Sequence, residues 1–189
     1  MKRILALTVA LCCLLAVLPV LAETVTTDTV AALDAFSFTK AAGSYYIPGE
    51  AGDVVLFTYY PEFESGNLSL NVNCTSEDNP YDPAAMSASE LDEVAKALVD
   101  GMTELYESMG AKVSFGKTTW SAPFTADGMK GITLSYNVTL SMAGQTAAMA
   151  QAQSFFNLGG KLYTFTATGT TEAECTAALD AFFAGLTWN

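Results

Sequence analysis

Acidic side chains are the most numerous groups in this chain that could do chemistry. The 189 residues include 20 Asp and Glu, eight Lys and Arg, and no His. Five of the acids lie on two successive predicted loops: Glu62, Glu64, Glu77, Asp78 and Asp82. Carboxylate oxygens are the ligands that Ca²⁺ prefers, at a coordination of roughly six to eight, so these residues are a candidate metal site. Their spacing follows no calcium-loop pattern, and the favoured interpretation is a solvated acidic surface.

The missing histidines remove several kinds of catalysis. Without an imidazole there is no Ser-His-Asp or Cys-His machinery and no histidine zinc site. Paired carboxylates of a glycosidic or metal-assisted hydrolase remain an alternative, but no spacing singles out one pair. We therefore expect a protein with no catalytic residues and no cofactor.

Two cysteines, Cys74 and Cys175, lie beyond the first 22 residues of the chain. The alternation around Cys74 and the helical spacing around Cys175 place both thiols on inward faces. An exported protein with an even number of thiols favours a disulfide between them. The alternative is two separate buried thiols that act as small apolar side chains.

Aromatic residues offer a second kind of candidate site. Tyr45, Tyr46, Tyr59, Tyr60 and Trp120 could together bind a peptide, a glycan or an apolar ligand, because flat side chains with polar tips bind at low entropic cost. Adjacent tyrosines on a strand point to opposite faces, so one of each pair is expected in the core.

The amino terminus has the pattern of a secretory signal peptide. A basic start at Lys2 and Arg3 precedes an uncharged apolar run that ends at Val20-Leu21-Ala22, which predicts cleavage after Ala22. An uncleaved membrane anchor is the alternative, because the run approaches the length that spans a bilayer. We expect a secreted or envelope protein located outside the cytoplasm.

The charge of the exported part excludes several partners. Without residues 1–22 the chain keeps six lysines, no arginine and all 20 acids, a net charge of −14. Nucleic acids and anionic membranes are bound through clustered cations, which this sequence lacks. The expected partner is therefore a protein or a small ligand.

The pattern of elements predicts an α+β fold. Residues 23–35 are expected to form a loose lead-in or a short helix around 30–35, and residues 36–189 a single domain. Strands are expected at 36–39, 45–47, 53–60, 67–75, 112–120, 131–142, 147–156 and 161–168. Ser87 and Thr171 open two helices as parts of capping boxes, and Gly110 ends the first helix. The prediction is an antiparallel sheet of about six to seven strands covered by two main helices.

Two strand faces are assigned within 67–75. Leu68, Leu70, Val72 and Cys74 share one phase of the alternation and are expected to be buried. Ser69, Asn71 and Asn73 share the other phase and are expected to face water.

The carboxy-terminal third resembles a known family. Asn157-Leu-Gly-Gly-Lys161, the strand Leu162-Tyr-Thr-Phe-Thr166 and the terminal Phe182-Phe183-x-x-Leu186 are similar to the carboxy-terminal signature of PsbP-like domains. Tyr46-Ile47-Pro48 and Ser89-Glu90-Leu91-Asp92 fall where that family has its first hairpin and its long helix. The resemblance covers residues 36–188 and implies a bacterial-type secreted member of the fold group that also includes the Ran-binding Mog proteins.

The resemblance implies a function without catalysis. Proteins of this group are generally binding or assembly factors, and no set of functional residues carries over to this sequence. We therefore expect an exported binding or assembly domain for a protein or a small ligand. The alternatives are the acidic-site enzyme and a purely structural envelope protein.

Overall fold

The computed structural model describes residues 30–50 and 54–189. The predicted signal peptide at 1–22, its cleavage site and most of the predicted lead-in lie outside these residues. Within them, no helix has both the length and the apolar character needed to cross a membrane.

Twelve strands and two α-helices make up the described part of the chain. The strands are β1 (Val30–Ala32), β2 (Phe36–Thr39), β3 (Tyr45–Pro48), β4 (Val55–Tyr60), β5 (Asn71–Asp78), β6 (Lys112–Phe115), β7 (Thr119–Trp120), β8 (Phe124–Ala126), β9 (Met129–Met142), β10 (Gln145–Leu158), β11 (Lys161–Gly169) and β12 (Leu186–Trp188). The helices are α1 (Ala88–Ser108) and α2 (Glu172–Ala184), and a short 3-10 turn spans Pro83–Ala85.

The strands form two antiparallel sheets. The large sheet has the order β3-β4-β5-β11-β10-β9-β6, with β7 and β8 paired to further stretches of β9. The small sheet has the order β1-β2-β12. The described chain therefore has an α+β architecture built around one large sheet, as predicted.

Each face of the large sheet has its own apolar core. On one face, α2 and the small sheet pack against side chains such as Phe57, Phe156 and Phe165. On the other face, α1 packs through Leu98 and Met102 against strands β9, β10 and β11. The central strands of the large sheet are therefore covered on both faces.

The long helix forms as the sequence predicts. Ser87 accepts a hydrogen bond from the Glu90 amide, and the Glu90 carboxylate accepts one from the Ser87 amide, so the capping box is complete. Gly110 follows the helix with a φ of 79°, which is the left-handed conformation that glycine adopts without strain.

Several short elements differ from the prediction. Residues 30–32 form strand β1 instead of a lead-in or helix, because they pair with β2 in the small sheet. The expected strand at 112–120 is two separate strands, β6 and β7, and strands β8 and β12 were not predicted. Strand β5 begins at Asn71 instead of residue 67, and Leu68 is 55% exposed.

The two cysteines are buried, and neither forms a disulfide. Cys74 pairs with Phe165 on β11, whereas the Cys175 thiol donates to the carbonyl of Ala150, which pairs with Gly169 on β11. Phe165 and Gly169 are four residues apart on one strand, a distance of about 13 Å. A disulfide needs Cα atoms within about 7 Å, so the bridge that the sequence favoured is not formed.

We predict that native protein beginning at Glu23 resists alkylation of Cys175 at pH 8. Burial, and then the carboxylates of Glu174 and Glu172, raise the pKa of this thiol to about 12. Unfolding without reductant should expose two alkylatable thiols by intact mass, and Cys175→Ala should leave one. An unfolded wild-type protein that takes up no label would show that a disulfide exists.

Candidate functional site

The five acidic residues of the candidate metal site do not converge. Glu62 and Glu64 precede strand β5, whereas Glu77 and Asp78 lie at its far end and Asp82 lies beyond them. The eight residues of β5 hold the two groups about 23 Å apart. Within the described residues, no three Asp, Glu or Cys side chains are grouped so that they could hold a metal ion. The two groups of carboxylates therefore lie too far apart to share one cation.

Several of these carboxylates have local hydrogen-bonding roles. Asp82 caps the 3-10 turn by accepting from the Ala84 amide, and Glu77 accepts from the Asn79 side chain. Glu62 accepts from the Asn67 side chain at 2.8 Å. These contacts explain the residues as loop and turn stabilisers.

The five predicted aromatic residues are divided between the two faces of the large sheet. Tyr46 and Tyr59 belong to the core under α2. Tyr45 and Tyr60 are register partners on the opposite face. Trp120 lies on that same α1 face, and its indole nitrogen donates to the Leu91 carbonyl of α1 at 3.1 Å. The structure therefore brings three of the five to one face, at separate positions along the sheet.

Uncharged polar side chains occupy the centre of the α1 face, between Tyr60 and Tyr136. We call this set the neutral polar band. Its members project from three adjacent strands, β5, β11 and β10, and all are buried. They are Asn71, Asn73, Thr75, Thr164, Thr166, Thr168, Gln151 and Gln153.

The register of the strands arranges the neutral polar band in rows across the sheet. One row contains Asn73, Thr166 and Gln153, which are direct partners on β5, β11 and β10. The next row contains Asn71, Thr168 and Gln151 in the same order. Neighbouring strands are about 4.8 Å apart, so each row spans about 10 Å.

One end of the neutral polar band is joined by hydrogen bonds. The Tyr136 hydroxyl donates to Gln151 Oε1 at 2.6 Å and accepts from Gln153 Nε2 at 2.8 Å. Gln151 Nε2 donates to the Thr168 hydroxyl at 3.1 Å. Met102 Sδ of α1 lies 3.9 Å from the Tyr136 hydroxyl, which places the helix directly against this network.

Four buried atoms of the neutral polar band have no hydrogen-bond partner. They are Asn71 Nδ2, Asn73 Oδ1, Thr166 Oγ1 and Gln153 Oε1. A buried polar group without a partner costs about 1–3 kcal/mol, so four cost about 4–12 kcal/mol. That sum is comparable to the whole stability of a domain, about 5–15 kcal/mol. A molecule that hydrogen-bonds to these atoms would recover much of this energy.

Sequence reasoning missed this site and assigned part of it wrongly. Asn71 and Asn73 were expected to face water, but each is 1% exposed. Alternation of polar and apolar residues normally marks a strand with one wet face, and here both faces are covered. One feature of the sequence could have indicated the buried polar face. Gln151, Gln153 and the alternate threonines of β11 are polar but uncharged, whereas a solvent-exposed strand face usually includes charged residues.

Two carboxylates have lowered pKa values, and both are at helix starts. Hydrogen bonds from the Ser87 hydroxyl and amide lower the pKa of Glu90. Hydrogen bonds from the Thr170 hydroxyl and amide, together with a bond from Asn67, lower the pKa of Glu174. Thr171 caps α2 by accepting from the Glu174 amide, but the carboxylate returns to Thr170, so the predicted capping box is only half formed. Both carboxylates stabilise helix starts as anions.

No protein-family model and no curated protein sequence matches the chain. Solved structures match in fold. Cyanobacterial PsbP (CyanoP) from Synechocystis sp. PCC 6803 aligns over 89% of this chain and 97% of its own, with 13% identity and a TM-score of 0.52. LpqN, involved in cell envelope biogenesis of Mycobacterium tuberculosis, covers 89% and 88% of the two chains with 11% identity and a TM-score of 0.45.

A third match is the Ran-binding protein Mog1p of Saccharomyces cerevisiae. It covers 83% of this chain and 93% of its own, with 15% identity and a TM-score of 0.45. The likeness to CyanoP establishes the class of structure: the chain has the PsbP-like fold. The resemblance drawn from the sequence is thus confirmed at the level of fold.

We predict opposite effects of two matched substitutions in the ligand-free protein. Thr166→Val replaces an unpartnered hydroxyl with a methyl group of the same size and should raise the free energy of unfolding by about 1 kcal/mol. Thr168→Val removes the acceptor of Gln151 Nε2 and should lower the free energy of unfolding by about 1–3 kcal/mol. Urea unfolding measures both. Equal destabilisation by the two variants would contradict the hydrogen-bond assignment.

We also predict that Glu174→Ala lowers stability in a pH-dependent way. The folded-state pKa of Glu174 lies below its ordinary value of 4.5, so its contribution is present at neutral pH and is lost as the pH falls through that lowered pKa. The expected loss at pH 7 is about 1 kcal/mol, typical of helix-start interactions. Thermal unfolding at pH 7 and pH 2.5 measures it, with exposed Glu93→Ala as control. An effect of equal size at both pH values would contradict the prediction.

Proposed function

We propose that this chain is an exported binding protein that performs no covalent chemistry and whose ligand contacts the neutral polar band on the α1 face of the large sheet. The observation that carries the proposal is the set of four unpartnered buried atoms on three adjacent strands. A protein that folds with so much unused hydrogen-bonding capacity in one place gains stability when a ligand supplies the partners.

The distribution of reactive groups supports binding over catalysis. Catalytic acids and bases usually have perturbed pKa values and lie in a cleft with a partner group. Here the two carboxylates with lowered pKa values, Glu90 and Glu174, cap helices at the surface. The buried thiol of Cys175 has a raised pKa, which suppresses the thiolate that a nucleophile needs.

The aromatic residues on the α1 face extend the proposed site. Tyr59 pairs with Val72 across β4 and β5, so the next residues on these antiparallel strands, Tyr60 and Asn71, lie at the same level. Tyr45 is the partner of Tyr60 on β3. Tyr45 also stacks on Phe63, with ring centroids 4.7 Å apart. Burial raises the pKa of Tyr60, so its phenol stays a neutral hydroxyl at physiological pH. We propose Tyr45, Tyr60 and Trp120 as the flanks of the ligand site.

The predicted signal peptide at 1–22 is the basis for proposing export. Export would determine the compartment in which the protein binds its ligand. The proposed location is the cell envelope or the medium outside the cytoplasm. A net charge of −14 for the exported chain keeps such a protein soluble and repels anionic surfaces.

The proposal is tested by isolating the secreted protein without denaturation and analysing it by native mass spectrometry. We expect wild-type protein to carry a small molecule at close to one per chain. Thr166→Val and Asn73→Leu should carry less of it, because they remove the unpartnered Thr166 hydroxyl and the unpartnered Asn73 amide oxygen. Glu93→Ala, on the exposed side of α1, should keep it.

Two outcomes would contradict the proposal. A stoichiometric protein partner that all three variants retain, with no small molecule bound, would place the function on the outer surface. A hydrolytic activity that one Asp or Glu substitution abolishes would establish the acidic-site enzyme instead.

A further inference from the structure

The hairpin of β9 and β10 extends beyond the end of the neighbouring strand β11. The ladder between β10 and β11 ends at the pair Ala150 and Gly169, whereas the ladder between β10 and β9 continues to Gln145. Within residues 30–50 and 54–189, no strand pairs with the other side of Gln145–Met149. We call Gln145–Met149 the free edge of β10. Its length is about 17 Å, because a strand rises about 3.4 Å per residue.

The turn of the hairpin determines which backbone groups the free edge presents. Ala143 and Gly144 have φ values of 53° and 80° and form a two-residue turn, so the residues on either side of them bond to each other. Bonding alternates along an antiparallel pair, so every second residue of β10 from Gln145 onward bonds to β9. Thr146 and Ala148 therefore direct their N–H and C=O groups to the side on which β11 has ended.

The free edge lacks the features that normally protect the edge of a sheet. The outer strands β3 and β6 are each four residues long, and they contain Pro48 and Lys112. Short length, proline and lysine all oppose the addition of another strand. Residues 131–160 contain no proline and no Asp, Glu, Lys or Arg, and the free edge is exposed from Gln145 to Ala148. An edge of this kind is a template on which an extended chain adds as a further strand.

Two carboxylates lie at the end of the free edge where β11 leaves the sheet. Glu172 accepts a hydrogen bond from Asn137, which pairs with Ala150 on β10. Glu174 accepts one from the amide of Thr170, the residue that follows β11. A strand added in line with β11 would begin beside these carboxylates, so a basic first residue would complement them.

A second copy of this chain fits the free edge less well. Antiparallel pairing of Thr146 with Ala148 of a second copy would place Gly144 of that copy opposite Ala150. Gly169 already occupies this position. Two exported chains that each carry a net charge of −14 also repel one another.

We propose that the free edge of β10 binds an extended segment of a partner protein. The segment would pair antiparallel to β10, in line with β11, and its first residue would be basic. Its backbone would bond to the N–H and C=O groups of both Thr146 and Ala148. This interaction goes beyond the proposed function and does not depend on a ligand at the neutral polar band.

The probe for the test is a short acetylated peptide of one lysine followed by alternating threonine and valine. N-methylation of every second residue leaves the peptide one bonding edge and prevents its self-association. Amide NMR of the exported protein should show shifts at the free edge and slower hydrogen exchange at Thr146 and Ala148. Exchange at Ala147 should change little, because its amide bonds to β9 in the free protein. The same peptide methylated at every residue is the control and should not bind.

Two substitutions at one position test the backbone contact. Ala148→Pro removes an N–H that faces the free edge and leaves the hydrogen bonds between β10 and β9 in place. We expect it to weaken binding of the lysine peptide roughly three- to tenfold, the effect of one lost hydrogen bond. Ala148→Val keeps the N–H and should bind like the wild-type protein. Unshifted amide resonances of β9 show that the hairpin stays folded in each variant.

A variant outside the hairpin tests the charge. Glu172→Gln should reduce the preference for the lysine peptide over the same peptide with a first glutamate by roughly two- to fivefold, as for one exposed ion pair. This variant keeps a hydrogen-bond acceptor for Asn137 and leaves every residue of the free edge unchanged.

The outcomes that would overturn the inference are separate. Shifts confined to β3 or β6 would place peptide binding at another edge, and equal binding by Ala148→Pro and Ala148→Val would exclude strand addition. A wild-type protein that prefers the glutamate peptide would overturn the basic partner. A dimer that Ala148→Pro dissociates would assign the free edge to a second copy. Failure of the lysine peptide to bind would overturn the inference and leave the test of the small ligand unaffected.

Discussion

A large antiparallel sheet that is covered on both faces is the constraint on which the rest of the structure depends. On the face that α1 packs against, the side chains of the central parts of β5, β11 and β10 are removed from water. Where those side chains are apolar, as at Phe155 and Leu162, burial stabilises the fold. Where they are amides and hydroxyls, burial stabilises the fold only if each finds a hydrogen-bond partner.

The two faces of the large sheet differ in the side chains that they bury. Under α2 and the small sheet, Phe36 packs edge to face on Phe57 and in a tilted arrangement on Phe165, within an apolar cluster. Under α1, Tyr136 links Gln151 and Gln153, and Thr168 completes that part of the network. The neighbouring row at Asn73 and Thr166 has no equivalent of Tyr136. The unused hydrogen-bonding capacity is therefore concentrated in one place, and the proposed binding function rests on that observation.

The sequence predicts the parts of this structure that are local. The capping box at Ser87 and Glu90 is a contact between near neighbours, and it forms as expected. The opposite orientation of Tyr59 and Tyr60 follows from strand geometry alone. Asn71 and Asn73 are buried by tertiary packing and not by any local contact, so the alternation on β5 predicted a solvent-exposed face. The separation of Cys74 from Cys175 likewise depends on tertiary packing, because the two thiols lie beside different positions along β11.

We propose that a bound ligand, and not a protein group, completes the hydrogen bonds of Asn73, Thr166 and Gln153. The most direct measurement is a crystal structure of the secreted protein, purified without denaturation, at about 1.2 Å, where hydrogen-bonding partners are assigned with least ambiguity. We expect density for a bound molecule with atoms within hydrogen-bond distance of Asn73 Oδ1, Thr166 Oγ1 and Gln153 Oε1. Isolated water molecules alone at these positions, or pairing of the four atoms with protein groups, would contradict it.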